Sequence, residues 1–208
     1  MRSFLALIAL GLLAGPAMAQ TETIIERAPD PAPAQREARL PEVSPLAVPE
    51  NRLDRLYGQL KRERNERAAQ RLARLIRDEW TKSGSSSIDL MMQWSQKAIE
   101  AKKFDVALDF LDQVTLLEPD FAEGWNRRAT VHFMMDAYPK AMNDIRKVLE
   151  LEPRHFAALS GMAAIFKVYD RKQAALDAYS RVLAIYPTMR SAQEEVGRLS
   201  EELAGEAL

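Results

Sequence analysis

The sequence predicts an all-α protein, an α-solenoid of tandem antiparallel helix hairpins, and three observations lead to that prediction. From Asn51 onward the chain is rich in Leu, Ala, Arg, Glu and Met, which form helices well, and glycine is sparse. Apolar residues recur at steps of three and four, and no stretch shows the sustained alternation of a strand. Pro119, Pro153 and Pro187 are equally spaced, and their fixed period of about 34 residues is typical of a stacked repeat.

The sequence before each of these prolines repeats as well. An alanine stands twelve positions before the proline, a large apolar residue eight before it, and a valine five before it. In chain order these residues are Ala107, Leu111 and Val114, then Ala141, Ile145 and Val148, then Ala175, Tyr179 and Val182. Because they are four and then three positions apart, they form one stripe of a helix that packs against a partner. Each block, at 88–121, 122–155 and 156–189, is therefore predicted to be one helix hairpin that ends near its proline.

This pattern resembles the tetratricopeptide repeat (TPR), whose small and large positions match the residues in register. The likeness is weaker in the first helices, where Trp125 keeps the family's tryptophan but Ser95, Ala129 and Ala163 stand at its usual glycine. The resemblance implies a solenoid whose first helices line a concave groove. It also implies protein binding, although not which protein.

Residues 1–19 have the features of a secretory signal peptide. Arg2 is followed by the apolar run 4–15, and Ala17 and Ala19 provide the small residues that a signal peptidase reads. We expect cleavage before Gln20 and location in the periplasm of a Gram-negative bacterium. The alternative is an uncleaved anchor, although the run is short for a membrane span. No other segment has spanning length, so we expect no stable membrane insertion after cleavage.

Two further segments precede the repeats. Residues 20–50 contain six prolines between positions 29 and 49, which favours a disordered linker; a proline-rich ligand for another domain is the alternative.

Residues 51–87 are predicted to be a degenerate helical hairpin, closed by the sequence SGSSS where the repeats have proline. Its apolar positions are Leu53, Leu56 and Leu60, then Ala69, Ala73 and Ile76. Residues 51–82 contain ten Lys or Arg but only five Asp or Glu. This excess of basic residues indicates either a solvated helix face or a basic edge that meets an acidic partner or lipid headgroups.

Residues 190–208 are predicted to be a C-terminal capping helix. Solenoids need a terminal helix with a polar outer face to cover the last apolar surface. Its apolar stripe comprises Ala192, Val196, Leu199 and Leu203, and its outer face carries five glutamates, at 194, 195, 201, 202 and 206. We interpret the glutamates as this polar outer face, with an acidic recognition tail as the alternative.

Catalytic and metal chemistry find little support in the sequence. Cysteine is absent, so disulfides and thiolate metal sites are excluded. His155 lies in a joint between blocks without a second ligand nearby, and His132 lies on a packing stripe, so we expect structural roles for both. The nucleotide-binding glycine motifs, the nucleophile elbow and the zinc motif H-E-x-x-H are all missing. We expect no enzyme and no cofactor, and a net charge of −1 with an export signal argues against nucleic acid as the partner.

The resemblance also implies which side chains face the groove, at positions that we expect to lie off the core. Transferred to this sequence, they are Asp89, Met92, Gln96 and Ile99 in the first block, Glu123, Asn126, Arg127, Thr130 and Phe133 in the second, and Ala157, Ser160, Ala164 and Lys167 in the third. Asn126 is suited to a peptide backbone, Arg127 to a carboxylate and Phe133 to an apolar side chain. Some members bind a terminal carboxylate through a lysine, asparagine and arginine clamp, but Met92 and Gln96 stand at its first two positions.

The sequence thus favours a non-enzymatic periplasmic adaptor or scaffold that docks a peptide or helix of a partner protein in its groove. The alternative is a self-assembling structural unit, a homo-oligomer in which the basic first hairpin of one copy meets the acidic last helix of another. Because exposed charges are screened within about 10 Å at 0.1 M salt, a charge-driven assembly should loosen as salt rises. An apolar groove contact should persist.

Overall fold

The structure is a computed structural model that describes residues 51–206. This part of the chain folds into nine α-helices and contains no strand, which confirms the all-α solenoid. The helices are α1 (Arg52–Arg62), α2 (Glu66–Trp80), α3 (Ser86–Glu100), α4 (Phe104–Leu117), α5 (Ala122–Met134), α6 (Tyr138–Leu151), α7 (Phe156–Val168), α8 (Lys172–Ile185) and α9 (Arg190–Glu206). The predicted signal peptide 1–19, the linker 20–50 and positions 207–208 lie outside the described residues.

The three repeats are the hairpins α3–α4, α5–α6 and α7–α8. Their second helices begin at Phe104, Tyr138 and Lys172, so the helices keep the period of the sequence. The alanine of each registered stripe is completely buried, and so is each valine. Small residues here let the second helix approach its partner closely, and the large residue of the stripe fills the space between the two helices.

The turn inside each repeat is built on a residue with left-handed backbone conformation. Lys102, Asp136 and Asp170 have φ of 56°, 55° and 53°, and each stands at the same position of its repeat. In the first repeat the next amide, that of Lys103, donates to the carbonyl of Ala98 at 2.8 Å, which is the hydrogen bond of a Schellman cap. The same bond closes α5 and α7, so all three first helices end in the same way.

The hairpin α1–α2 packs on the third repeat, although it directly precedes α3 in the chain. Its buried side chains share one core with those of α7, α8 and α9, whereas the core of α3–α4 contains no residue of α1 or α2. Trp80 is the centre of this contact. Its ring stacks on His155 with centroids 3.7 Å apart and meets Phe156 at 4.7 Å. Its Nε1 donates to the Tyr57 hydroxyl at 3.2 Å.

Ion pairs connect the same hairpin to the joint between the second and third repeats and to the start of α9. Arg154 contacts Asp54 at 2.8 Å, and Arg190 contacts Glu66 at 2.9 Å. At the C-terminal end α9 packs on α8 through Ala192 and Leu199, which are buried. One end of the solenoid is therefore covered by both α9 and the folded-back hairpin. No helix within residues 51–206 is long and apolar enough to cross a membrane.

Candidate functional site

A small apolar cavity lies between the first helices of the second and third repeats. It measures about 180 Å³, and its walls come from α5 and α7 with Ile145 of α6 at its base. The predicted groove residues that line it are Asn126, Thr130, Phe133, Ala157 and Ala164. Gly161 and the alanines keep the cavity open because they have no large side chains. The fixed offsets of the repeat thus bring together residues that belong to two different blocks of the sequence.

An aromatic side chain and polar side chains both line this cavity. The Phe133 ring is half-buried and packs edge-on against Tyr138 with centroids 5.5 Å apart, so its position is held by the repeat. The Asn126 amide donates to Glu123 Oε2 at 3.0 Å, which leaves the amide oxygen available as an acceptor. Thr130 is exposed at the rim. This arrangement can receive an apolar side chain and hydrogen-bond to the backbone that carries it.

Arg127 belongs to a different, more polar recess. Its guanidinium donates to the Met92 carbonyl at 3.2 Å and to Glu123 Oε1 at 3.3 Å, so it connects α5 to α3. The recess at this point is also lined by Lys82 and Asp89. Met92 itself is only 6% exposed and is part of the core of the first repeat, contrary to the expectation that the groove positions lie off the core. A long apolar side chain at this position folds into the space between α3 and its neighbours.

The remaining predicted groove residues do not join the cavity. Gln96 is exposed and donates to Glu100, while Ile99 packs against the core of the first repeat. Ser160 lies in a recess beside α9. Lys167 forms an ion pair with Glu195 of α9 at 2.5 Å. The role of all these residues in binding stays a prediction.

His155 has a structural position in the joint between the second and third repeats. Its Nδ1 accepts a hydrogen bond from the Ala158 amide at 3.1 Å and thereby caps the first turn of α7. The ring is fully buried under Trp80, and its Nε2 faces Glu123 Oε2 at 3.5 Å. Burial alone would raise the pKa of the Glu123 carboxyl, but His155, Arg127 and the amide of Asn126 together lower it below its usual value. Glu123 is thus held as a carboxylate at the edge of the candidate site.

A second polar cluster, which the sequence analysis did not find, joins three helices beside the site. Arg128 makes a two-pronged contact with the buried Asp144, at 2.9 and 2.7 Å, and also donates to Asp112 and Thr115 of the preceding repeat. His132 is buried next to Asp144, with Nε2 3.8 Å from a carboxylate oxygen. The only signal in the sequence was Arg128 on a stripe of packing positions, where an apolar residue is usual. Within residues 51–206 no group of His, Cys, Asp or Glu side chains is placed to hold a metal ion.

Comparisons with known proteins agree with this architecture. The chain is 50% identical to a TPR repeat-containing protein of Rhizobium etli over 190 residues, which cover 91% of this chain and 93% of that protein. It is 27% identical to the small glutamine-rich tetratricopeptide repeat-containing protein 2 of Saccharomyces cerevisiae over 97 residues, covering 47% of this chain and 28% of the yeast protein. No family model matches the chain.

Solved structures with similar folds include TPR domains. The first TPR of Spaghetti (RPAP3), bound to the HSP90 peptide SRMEEVD, aligns with a TM-score of 0.54 at 22% identity, covering 56% of this chain and 93% of that one. The crystal structure of MamA aligns with a TM-score of 0.54 at 14% identity, covering 74% of this chain and 85% of that one. At these identities the likeness shows the fold alone.

Proposed function

Because the chain belongs to the tetratricopeptide-repeat family, whose members mediate protein–protein interactions, we propose that it is a non-enzymatic adaptor that docks a peptide or helix of a partner protein on its first helices. The observation that carries this proposal is the cavity between α5 and α7, in which five predicted groove residues converge. The cavity has room for one apolar side chain. The rest of the ligand would lie across the first helices, with its backbone bound by Asn126 and Thr130.

The charges around the site favour an apolar anchor over a terminal carboxylate. The Glu123 carboxylate is ionised and largely buried, and it already forms an ion pair with Arg127. The other predicted basic group, Lys167, is paired with Glu195. A ligand carboxylate would have to displace one of these internal partners, which costs free energy. An apolar side chain can bind without breaking either ion pair.

The site of action that we propose is the periplasm. The support is the apolar run 4–15 with small residues at Ala17 and Ala19. Osmotic-shock release of the protein, with an N-terminus at Gln20 by mass spectrometry, would support export and cleavage. Recovery of the intact chain with the membranes would instead support the uncleaved anchor.

The docking proposal is tested by crosslinking at the rim of the cavity in intact cells. A photo-crosslinking amino acid at Thr130 should form an adduct with another protein, since this side chain is exposed beside the cavity. Filling the cavity with Ala164→Leu should abolish the adduct, because the longer side chain occupies the space for the anchor. Phe133 is less suitable for the test, because it also packs on Tyr138.

Two controls make the result specific. The same crosslinker at Leu116, an exposed position on α4 away from the cavity, should not give that adduct. The Ala164→Leu variant should keep the helical circular dichroism of the parent protein. An adduct that persists in Ala164→Leu would show that the cavity is not the docking site.

The alternative, assembly through the basic hairpin and the acidic last helix, stays a prediction with less support. Two of the five glutamates, Glu195 and Glu202, form ion pairs with Arg198 inside α9. They are therefore partly neutralised within the same molecule.

A further inference from the structure

One face of α2 carries three arginines in a row. Arg67, Arg71 and Arg74 are four and then three positions apart, so they lie on the same face of the helix, and all three are exposed. The opposite face of α2 packs on the third repeat through its buried residues Ala69, Ala73, Ile76 and Trp80. We call Arg67, Arg71 and Arg74 the arginine row.

The carboxylates near the arginine row have other partners. Glu66 forms an ion pair with Arg190 of α9 at 2.9 Å. Glu63, in the turn before α2, accepts the backbone amides of the next two residues at 2.8 and 2.7 Å. Asp78 shares the face of the row but lies one turn beyond Arg74. Within residues 51–206 none of the three guanidinium groups of the row forms an ion pair, so the row keeps a positive charge.

Charge is divided unequally between the first hairpin and the helices that follow it. Residues 51–82 contain ten Lys or Arg and five Asp or Glu, whereas residues 83–206 contain 15 Lys or Arg and 19 Asp or Glu. The hairpin is therefore basic, and the remaining helices together are acidic. An anionic surface would attract the hairpin and repel the other helices, which turns the arginine row toward that surface.

Apolar side chains border the arginine row on the side of α1. Leu75 is 39% exposed, and it lines an open groove between α1 and α2 together with Leu72. Arg62 of α1 and Arg71 of α2 line the same groove, so guanidinium groups flank its apolar side chains. Helices that lie on a bilayer combine these two kinds of residue: the basic ones meet anionic lipids, and the apolar ones enter the headgroup region.

We propose that the arginine row, with Leu72 and Leu75 beside it, binds the surface of a bilayer that contains anionic phospholipids. Clusters of basic residues on an amphipathic helix are typical of sites for anionic lipids, and each arginine near such a surface strengthens binding about fivefold. Guanidinium groups suit lipid phosphates because they can donate two parallel hydrogen bonds to the phosphate oxygens.

The position of the row favours a bilayer over an acidic peptide. Of its three arginines, Arg67 and Arg74 lie outside the groove between α1 and α2, on the side of the helix opposite its packed face. They present charge to a broad surface, whereas a peptide in the groove would meet only Arg71 of the row. The side chains that line the cavity between α5 and α7 belong to other helices, so lipid and a partner protein would use different residues.

The test is flotation of the chain from Gln20 with lipid vesicles. This chain keeps every described helix and omits the apolar run 4–15, which can enter a bilayer by itself. Vesicles of phosphatidylcholine with about 30% phosphatidylglycerol should bind the protein at low salt, whereas vesicles of phosphatidylcholine alone should not. Binding should weaken as salt rises, because exposed charges are screened within about 10 Å at 0.1 M salt.

Variants of the row identify the residues responsible. Arg67→Glu together with Arg71→Glu should weaken binding to the anionic vesicles at least about tenfold. Arg146→Glu together with Arg181→Glu is the matched control, because it changes the net charge equally at exposed positions on α6 and α8, and it should leave binding nearly unchanged. Leu75→Ser should weaken binding to vesicles but not to immobilised polyglutamate, since lipid receives the apolar side chain and polyglutamate does not.

Two results would overturn the proposal directly: no binding to anionic vesicles at low salt, or binding that persists when Arg67 and Arg71 are both replaced by Glu. Binding to polyglutamate without binding to vesicles would assign the row to an acidic protein and would also overturn it. Each double variant should keep the helical circular dichroism of the parent protein. If charge reversal disturbs folding, Arg67→Gln together with Arg71→Gln removes the same charges with a residue that also forms helices well, and it should weaken binding in the same direction.

Discussion

The position of the first hairpin can be tested by replacing Trp80 with alanine. Trp80 is 8% exposed and connects α2 to α7 through its stack on His155 and its contact with Phe156. Removing a buried tryptophan side chain costs about 3 to 5 kcal/mol of unfolding free energy. Within that sum the aromatic stack accounts for about 1 kcal/mol, and the Tyr57 hydroxyl, which loses its donor, for about another 1 kcal/mol. We therefore expect a loss of about 4 kcal/mol.

The assay is urea unfolding followed by circular dichroism, at a protein concentration low enough to exclude association. Trp94→Ala is the matched control, because it removes the same side chain from the 42% exposed position on α3. In the monomer it should cost no more than about 1 kcal/mol. If Trp94→Ala instead costs as much as Trp80→Ala, then α1–α2 covers α3–α4, and the reasoning from the folded-back hairpin is wrong.

A double-mutant cycle isolates the stack itself. Trp80→Leu and His155→Asn, separately and together, should show a coupling energy of about 1 kcal/mol, because the two rings are in contact. Asparagine is chosen because it can still cap α7, so that the cycle does not also report the loss of the cap. If the losses of unfolding free energy in the two single variants simply add in the double variant, the two rings are not in contact.

Three further changes test the local structure by the same urea assay. Gly124→Ala should destabilise by about 1 to 3 kcal/mol despite alanine's helix propensity, because its methyl group would come within 2.7 Å of Val114 Cγ1. Lys102→Gly should stabilise by about 0.5 to 1 kcal/mol, since φ at this position is 56°. Burial lowers the pKa of His132, although the nearby Asp144 carboxylate acts to raise it. The unfolded state therefore binds the proton more readily than the folded state, so stability falls as the pH drops below the unfolded pKa of 6.5. His132→Gln should flatten this decline, whose slope for one proton cannot exceed about 1.4 kcal/mol per pH unit.

The repeats could be predicted from the sequence because each registered residue has the same neighbours in every block. Ala107, Leu111 and Val114 are buried in the structure for the reason that their spacing indicated: they form one face of a helix. The cavity could be anticipated in part from the resemblance to the TPR family, which implies that Asn126 and Phe133 face the groove. Periodic local patterns of this kind need no knowledge of distant contacts.

What the sequence did not reveal depends on contacts between distant residues or on backbone conformation. Trp80 and His155 are far apart in the chain and belong to different hairpins, and no period relates them. The left-handed turn at Lys102 gave no signal because lysine has no preference for positive φ, unlike glycine or asparagine. Met92 was expected to face the groove. It lies instead in the core of the first repeat, next to α5, whose Arg127 donates a hydrogen bond to the Met92 carbonyl.

The folded-back hairpin makes the two ends of the solenoid unequal. In a stacked array, stability is approximately the sum of each repeat's own stability and of its contacts with its neighbours. Within residues 51–206 the third repeat has contacts with α6, with α9 and with α1–α2, whereas the core of the first repeat meets only α5. Among the described residues the first repeat therefore has one stabilising interface fewer than the third, and its Trp94 is 42% exposed.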